Sequence, residues 1–221
     1  MIKLLRYEIR QYWSGSGSAL LSLGCYFILT FLMGYATQNH PASENLSGIS
    51  PALAFQWVAM IVSSLLAIER IWLDDARDHL LAQQRLSPYS TLFFITLKSG
   101  AFWICIFLPL LIVFGVQSAL SSGQAEIIPV IPFLLASISI TLLLVLAGAL
   151  ALGSRNGMLI SLVIILPLLV PPLTFGLGAH LAIQQGIDVL PALSLLSAYA
   201  LFNLVLVPCA VHYVLSHTRN S

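Results

Sequence analysis

Long apolar stretches separated by short charged segments dominate the pattern along the chain. The stretches without Asp, Glu, Lys or Arg cover 11–43, 51–68, 99–125, 127–154, 156–187 and 189–218. A helix of about 20 mainly apolar residues crosses a bilayer core about 30 Å thick, so each stretch can hold one span. The pattern predicts an all-α polytopic membrane protein, a single membrane domain over 1–221. Its six transmembrane helices are expected at about 19–37, 51–69, 91–117, 129–152, 158–178 and 191–214.

Composition supports this fold class. The 221 residues are 59% hydrophobic and 8% charged, whereas an ordinary soluble domain has about 25% charged residues. A water-soluble fold cannot bury that much apolar surface, and the net charge of +1 gives no indication of nucleic-acid binding.

The distribution of charge predicts the orientation. With the N-terminus in the cytoplasm, every Lys and Arg falls on the cytoplasmic side: Lys3, Arg6, Arg10, Arg70, Arg77, Arg85, Lys98, Arg155 and Arg219. The opposite side then carries Glu44, Glu126 and Asp188. Because an excess of Lys and Arg in short cytoplasmic loops determines orientation, both termini are expected in the cytoplasm.

The N-terminal residues 1–13 are predicted to form an amphipathic interfacial helix. Their apolar side is formed by Ile2, Leu5, Ile9, Tyr12 and Trp13, with Lys3, Arg6 and Arg10 beside it. In the third span, Lys98 is tolerated if it lies near a helix end and extends to the interface, which favours a start near residue 90. No pair of ionisable groups is expected inside the membrane.

The largest charged segment runs from Glu69 to Pro88. Asp74 and Asp75 suit the first turn of a helix, and Ser87-Pro88 is a stop signal, so a short surface helix is expected at about 74–86. The alternative is a solvated loop that only links two spans.

The fifth span contains Pro167, Pro171 and Pro172, and each of these prolines removes one backbone donor. The segment is therefore predicted to be kinked or broken, either passively or for function, and to face groups that satisfy the freed carbonyls. In the fourth span, small residues are expected to allow a close approach to a neighbouring helix: Gly148, Ala149, Ala151 and Gly153.

Motifs for catalysis are missing from the sequence. It has no H-E-x-x-H, no G-x-S-x-G and no G-x-x-x-x-G-K-[ST], so no catalytic residues, no metal site and no enzymatic activity are predicted. If ATP drives the protein, another chain binds it.

His40 and His180 could ligate haem iron or be ordinary helix-end residues. Aromatic residues near the span ends are interpreted as an interface belt: Trp57, Trp72, Trp103 and Tyr213.

An amphipathic N-terminal helix, six spans and a charged helix after the second span resemble the type-2 ABC exporter permeases. Within these, the cytochrome c maturation protein B (CcmB, haem exporter protein B) family is similar over essentially the whole chain. The residues that carry the resemblance are Trp57-Val58-Ala59, Ser63 to Arg70, Asp74-Asp75 and Asp78, followed by Leu166-Pro167-Leu168, Pro171, Leu173 and Phe175.

The resemblance implies a non-catalytic permease-like subunit of the bacterial cytoplasmic (inner) membrane, active in c-type cytochrome biogenesis. It implies an ABC ATPase partner, CcmA, together with CcmC, CcmD, the haem chaperone CcmE and a second copy of the chain. Haem would be cargo, and ATP hydrolysis by the partner would drive either haem export or release of the haem-loaded chaperone. The residues expected to receive the ATPase motion are Glu69, Arg70, Asp74, Asp75 and Asp78.

The chain departs from the family pattern at one place. Where the family has Asp-Gly followed by Leu-Glu-Gln-Leu, this sequence has Asp78-His79 and then Leu81-Ala82-Gln83-Gln84, which affects the expected ATPase contact. Two alternatives stay open at this stage: an ABC exporter permease for a lipid, glycan or drug, and a membrane scaffold without transport.

Overall fold

The computed structural model describes residues 8–10, 12–13, 18–39, 51–68, 71–72, 90–122, 128–152 and 157–217, and these are helical apart from turns and short connections. Helix α1 is Ser18–Asn39 and α2 is Pro51–Leu65. Helix α3 combines Thr91–Phe102, a π-helical turn Trp103–Phe107 and Leu108–Ser122. The remaining helices are α4 (Val130–Ala151), α5 (Gly157–Gln185) and α6 (Leu190–His217).

Four of these helices are long and apolar enough to cross a membrane. They correspond to α3, α4, α5 and α6, whereas the apolar parts of α1 and α2, Ala19–Tyr35 and Leu53–Leu65, are shorter. The all-helical membrane fold predicted from the sequence is therefore confirmed at this level for the described residues. The helices coincide with the six predicted segments within a few residues, except at the C-terminal ends of α3 and α5, which extend further.

Helix α4 lies at the centre of the bundle. It packs most extensively on α5 and α6, while α1 packs mainly on α2. In an apolar stretch of 18 residues within each helix, 67% of the α4 residues are buried, against 28% of those in α5 and 22% of those in α6. Helix α4 is therefore largely surrounded by the rest of the protein, whereas α5 and α6 leave a large part of their surface uncovered.

Local sequence signals explain three helix boundaries. Ser90 is the N-cap of α3, with an extended backbone and a side chain that accepts a hydrogen bond from the Phe93 N–H at 3.3 Å, so α3 begins near residue 90, as Lys98 indicated. At the end of α5, Gly186 has φ of 65° and the Ile187 N–H donates to the Ala182 carbonyl at 2.9 Å, which closes a Schellman motif. Asp188 then accepts from the Leu190 N–H at 3.0 Å and caps α6.

Helix α5 is continuous through its three prolines, so the predicted break is absent; the predicted kink stays a prediction. Pro172 cannot donate to the Leu168 carbonyl four residues earlier. That carbonyl instead accepts a hydrogen bond from the hydroxyl of Tyr199 on α6, at 2.8 Å. A neighbouring helix therefore satisfies one of the carbonyls that the prolines free.

Polar side chains attach α1 to the bundle. The Gln56 side-chain amide on α2 donates to Gln117 on α3 at 2.6 Å, and the Gln117 amide donates to Thr30 on α1 at 3.0 Å. Ser22 also donates to the Ser63 carbonyl of α2. Hydrogen bonds of this kind replace the hydrophobic driving force that helices lack in lipid.

The interpretation of Trp57 and Trp72 as interface-belt aromatics is wrong. Both are buried inside the protein, at 0% and 1% exposure. Trp57 fits against Gly176 of α5, where a Cβ would lie 2.5 Å from the indole ring. Protein packing, not the membrane interface, therefore determines the positions of these two rings.

Candidate functional site

Lys98 and Glu8 form a buried ion pair at the N-terminal part of α3. The Lys98 Nζ lies 3.1 Å from Glu8 Oε2, and the side chains are 1% and 5% exposed. The expectation that Lys98 extends to the interface is wrong, because its side chain is buried in the protein and paired with Glu8. A buried ammonium group is costly without a partner, and Glu8 provides the opposite charge.

Aromatic rings surround the ammonium group of Lys98. Its Nζ lies 5.4 Å from the centre of the Trp72 ring and 5.7 Å from that of Phe94. The two rings are also packed on each other, with centroids 6.4 Å apart. Because the face of an aromatic ring carries negative charge density, both rings favour the cation, and they exclude water from the pair.

Trp72 is anchored on α4 as well. Its indole Nε1 donates to the Val145 carbonyl at 2.9 Å. Its ring lies against Gly148, where a Cβ would be 2.8 Å from the Trp72 Cδ1 and 3.3 Å from the Ile68 carbonyl oxygen. The close approach predicted for the small residues of α4 is therefore present at Gly148. The neighbour there is the segment just after α2, which contributes Ile68 and Trp72.

The N-terminal segment completes this cluster. Tyr12 is buried, and its ring packs edge-on against Phe102 of α3 with centroids 5.8 Å apart. The short helical stretch that contains Glu8 and Ile9 is therefore fixed to α3 by both an ion pair and an aromatic contact. We call the set Glu8, Tyr12, Trp72, Phe94 and Lys98 the junction, because it joins three parts of the chain: the N-terminal segment, the segment just after α2, and α3.

Not all of the predicted site residues fall within the described structure. Glu69, Arg70, Asp74, Asp75 and Asp78 lie outside the described residues, as do His40 and residues 1–7 and 11 of the predicted interfacial helix. The residues that flank the first two are described and buried: Ala67, Ile68, Ile71 and Trp72. The chain on both sides of Glu69 and Arg70 is therefore firmly packed in the bundle.

Sequence reasoning missed the role of Glu8. Its partner is 90 residues away, so no spacing rule relates the two. The available signal was Lys98 itself, because a lysine eight residues inside an apolar helix requires either solvent or a carboxylate. Glu8 is the acid in the predicted amphipathic helix.

A second group of buried rings lies where α2, α3, α4 and α5 meet. Phe114 stacks on Phe133 with centroids 4.2 Å apart, and Phe133 contacts Trp57 at 5.5 Å. His180 lies edge-on to Phe114 at 5.7 Å and is 4% exposed. His180 is therefore part of the packed interior in this structure.

The chain is similar to known proteins over nearly its whole length. The family described as CcmB protein matches residues 1–218. A relative named heme exporter protein B from Paracoccus denitrificans is 30% identical, with 95% of each chain covered. Relatives with the same name from Pseudomonas aeruginosa and Bradyrhizobium diazoefficiens are 31% and 29% identical, covering 77% and 97% of this chain and 77% and 96% of theirs.

Proposed function

This chain belongs to the CcmB family, and we propose that it is the membrane subunit of a haem export system. The observation that carries the proposal is the match of the family over residues 1–218, together with relatives named for haem export that cover most of the chain. The apolar helices suit a multi-pass membrane subunit. Its role would be transport, with no catalytic chemistry of its own.

The finer mechanism is that a partner ATPase drives the subunit through the segment around Glu69, Arg70, Asp74, Asp75 and Asp78. Support comes from the packing beside that segment, since Trp72 is hydrogen-bonded to α4 and lies against Lys98 of α3. A displacement of the segment would therefore reach both helices through rigid, buried contacts. ATP hydrolysis in the partner would serve either export of haem or release of a haem-loaded chaperone.

Purification of the tagged chain in mild detergent tests whether it works as a subunit. We expect an ABC ATPase (CcmA) to co-purify, with CcmC, CcmD and the haem chaperone CcmE identified by mass spectrometry. ATP hydrolysis by the purified complex should exceed that of the ATPase alone. A chain that purifies without an ATPase would favour the scaffold alternative, and a complex without CcmC, CcmD and CcmE would favour an exporter for another substrate.

The coupling segment is tested by reversing two of its charges. The double variant Asp75→Lys, Asp78→Lys should reach the membrane in normal amount but lose most of the partner ATPase, because a broken charge contact at an interface costs about 2 to 5 kcal/mol. The double variant Gln83→Lys, Gln84→Lys is the matched control, since it adds two lysines to the same segment without removing acids. Full ATPase recovery with the Asp75→Lys, Asp78→Lys variant would show that the segment is only a solvated link.

We also propose that the chain crosses the bacterial inner membrane six times with both termini in the cytoplasm. The support is the one-sided distribution of Lys and Arg and the agreement between the helix bounds and the apolar stretches. A reporter that is active only in the periplasm should work when fused after Glu44, Glu126 or Asp188 and fail after Arg77 or Arg155. Activity after Arg77 would overturn this orientation.

A further inference from the structure

Helix α3 contains a π-helical turn, Trp103–Phe107, between two α-helical segments. At this turn the Leu108 N–H donates to the Trp103 carbonyl, five residues earlier instead of four. We call Thr91–Phe102 the first segment and Leu108–Ser122 the second segment. Single π-helical turns inside α-helices are frequent at functional sites. Helix α3 is therefore built from two regular segments joined by one irregular turn.

Pro109 explains why the ladder of backbone hydrogen bonds changes at this place. Its nitrogen carries no hydrogen, so it cannot donate to the carbonyl of Cys105 or Ile104, four and five residues earlier. In a regular α-helix its ring would also clash with the Cys105 carbonyl. Prolines and π-helical turns are two of the known causes of helix bending, and here they are adjacent. This turn is therefore the point at which α3 bends most easily.

The first segment of α3 is attached to the N-terminal part of the chain and to the chain just after α2. The Lys98 ammonium pairs with Glu8, and Phe102 packs on Tyr12 with ring centroids 5.8 Å apart. The same ammonium lies over the Trp72 ring. Because these contacts join the segment to the junction in one buried cluster, a displacement of the junction acts directly on the first segment.

The second segment is attached to other helices. Gln117 accepts a hydrogen bond from Gln56 on α2 and donates one to Thr30 on α1. Phe114 stacks on Phe133 of α4 with ring centroids 4.2 Å apart. These partners are all distinct from the residues of the junction. The two segments of α3 are therefore held by separate sets of neighbours.

The π-helical turn itself is fixed on α4, the central helix. The Trp103 Nε1 donates to the Ser137 hydroxyl at 2.9 Å, and that hydroxyl donates to the Leu134 carbonyl at 2.7 Å. Trp103 thus ties the turn to α4 independently of the contacts that hold the two segments. A tied point between two separately held segments is the arrangement that a hinge requires.

We propose that the π-helical turn is a hinge, about which the first segment swings with the junction while the second segment keeps its contacts. Trp103 is the pivot, and the missing N–H of Pro109 keeps the turn free to bend. Leu92 lies eleven residues before Trp103, a rise of about 16 Å, so a change of about 20° in the bend moves Leu92 by about 6 Å. The hinge confines movement of the junction to one half of the membrane domain, whatever the cargo.

Two distances in the full-length chain, reconstituted in lipid nanodiscs, test the hinge. Both are measured between spin labels by double electron–electron resonance, with the two native cysteines that are not buried replaced by alanine. The first-segment distance joins Leu92 to Tyr213 of α6, and the second-segment distance joins Val116 to Leu195 of α6. All four of these side chains are exposed, so the labels leave the packing intact.

Release of the junction provides the displacement. In the double variant Lys98→Met, Glu8→Gln the ion pair is removed and no charge is left buried. We expect the first-segment distance to shift or broaden by about 6 Å, and the second-segment distance to stay within about 2 Å of the parent. Equal changes in both distances would mean that α3 moves as a rigid rod, and no change in either would mean that the first segment does not swing. Each of these two results would overturn the proposal.

A proline variant connects the swing to the π-helical turn. Pro109→Ala restores an N–H to the backbone ladder of α3, so the change in the first-segment distance on release of the junction should fall about threefold. Pro191→Ala is the matched control, because Pro191 lies exposed in the first turn of α6, where its missing N–H has no helical partner to serve. Equal changes in the two variants would contradict a hinge at this turn. If Pro109→Ala does not fold, the two distances measured with Pro109 in place still decide the question.

Discussion

The junction and the proline region of α5 both place polar groups in an apolar bundle. In each region the polar group is paired with a different kind of partner. At the junction, the charge of Lys98 is neutralised by Glu8 from a distant part of the chain. In α5, the Leu168 carbonyl freed by Pro172 accepts one neutral hydrogen bond from Tyr199. The comparison teaches that the junction depends strongly on one partner, because an unpaired buried charge costs far more than an unpaired carbonyl.

The largest effect is expected from breaking the ion pair. Lys98→Met should destabilise the protein by about 3 to 5 kcal/mol, because Glu8 must then stay buried without this cation or take up a proton. In the double variant Lys98→Met, Glu8→Gln, most of the lost stability should be recovered, because no charge is then left buried. The free energy of unfolding in detergent micelles is the quantity to measure, and strictly additive losses in the double variant would show that the two side chains do not interact.

A smaller loss is expected where Trp72 approaches α4. In Gly148→Ala the new Cβ would lie 2.8 Å from Trp72 Cδ1 and 3.3 Å from the Ile68 carbonyl oxygen. Overpacking of this kind costs about 1 to 3 kcal/mol. Gly178→Ala on α5 is the control, because nothing lies within 4 Å of its Cβ position. Thermal unfolding should separate the two variants, and equal midpoints would mean that Trp72 is not tightly packed there.

The smallest effect is expected in the proline region. Tyr199→Phe removes the donor to the Leu168 carbonyl and should cost about 0.6 kcal/mol, the average for hydrogen bonds between membrane helices, and at most about 1.7 kcal/mol. In a Pro172→Ala background the alanine N–H can serve the same carbonyl, so the same substitution should cost much less. Measuring the four variants gives the coupling directly, and a Tyr199→Phe cost that is unchanged by Pro172→Ala would contradict this account of the hydrogen bond.

Features that depend on local sequence could be predicted, whereas contacts between distant parts of the chain could not. Helix positions follow from local composition, and the need of α5 for donors follows from three prolines in one segment, so the sequence alone was sufficient for both. The identity of Tyr199 as one donor was not predictable, because it depends on how α6 packs on α5. Glu8 was missed for the same reason, and its partner Lys98 was misjudged because a single lysine is compatible with either solvent or a buried carboxylate.

The burial of Trp72 was also outside the reach of the sequence. A tryptophan next to a predicted span end fits the interface belt and the protein interior equally well. The structure assigns it to the interior because Gly148 leaves room for the ring and the Val145 carbonyl accepts its N–H. The segment that follows Trp72 carries the predicted coupling residues, and its contact with an ATPase stays a prediction.

Covalent haem in c-type cytochromes is the measurement that tests the proposed function most directly. In a strain that lacks this gene, haem staining of denatured membrane proteins should show no c-type cytochromes, while b-type cytochromes persist in the absorption spectrum. A plasmid copy of the chain should restore the staining, and the Asp75→Lys, Asp78→Lys variant should not. Normal c-type haem staining in the deletion strain would contradict a role in haem export.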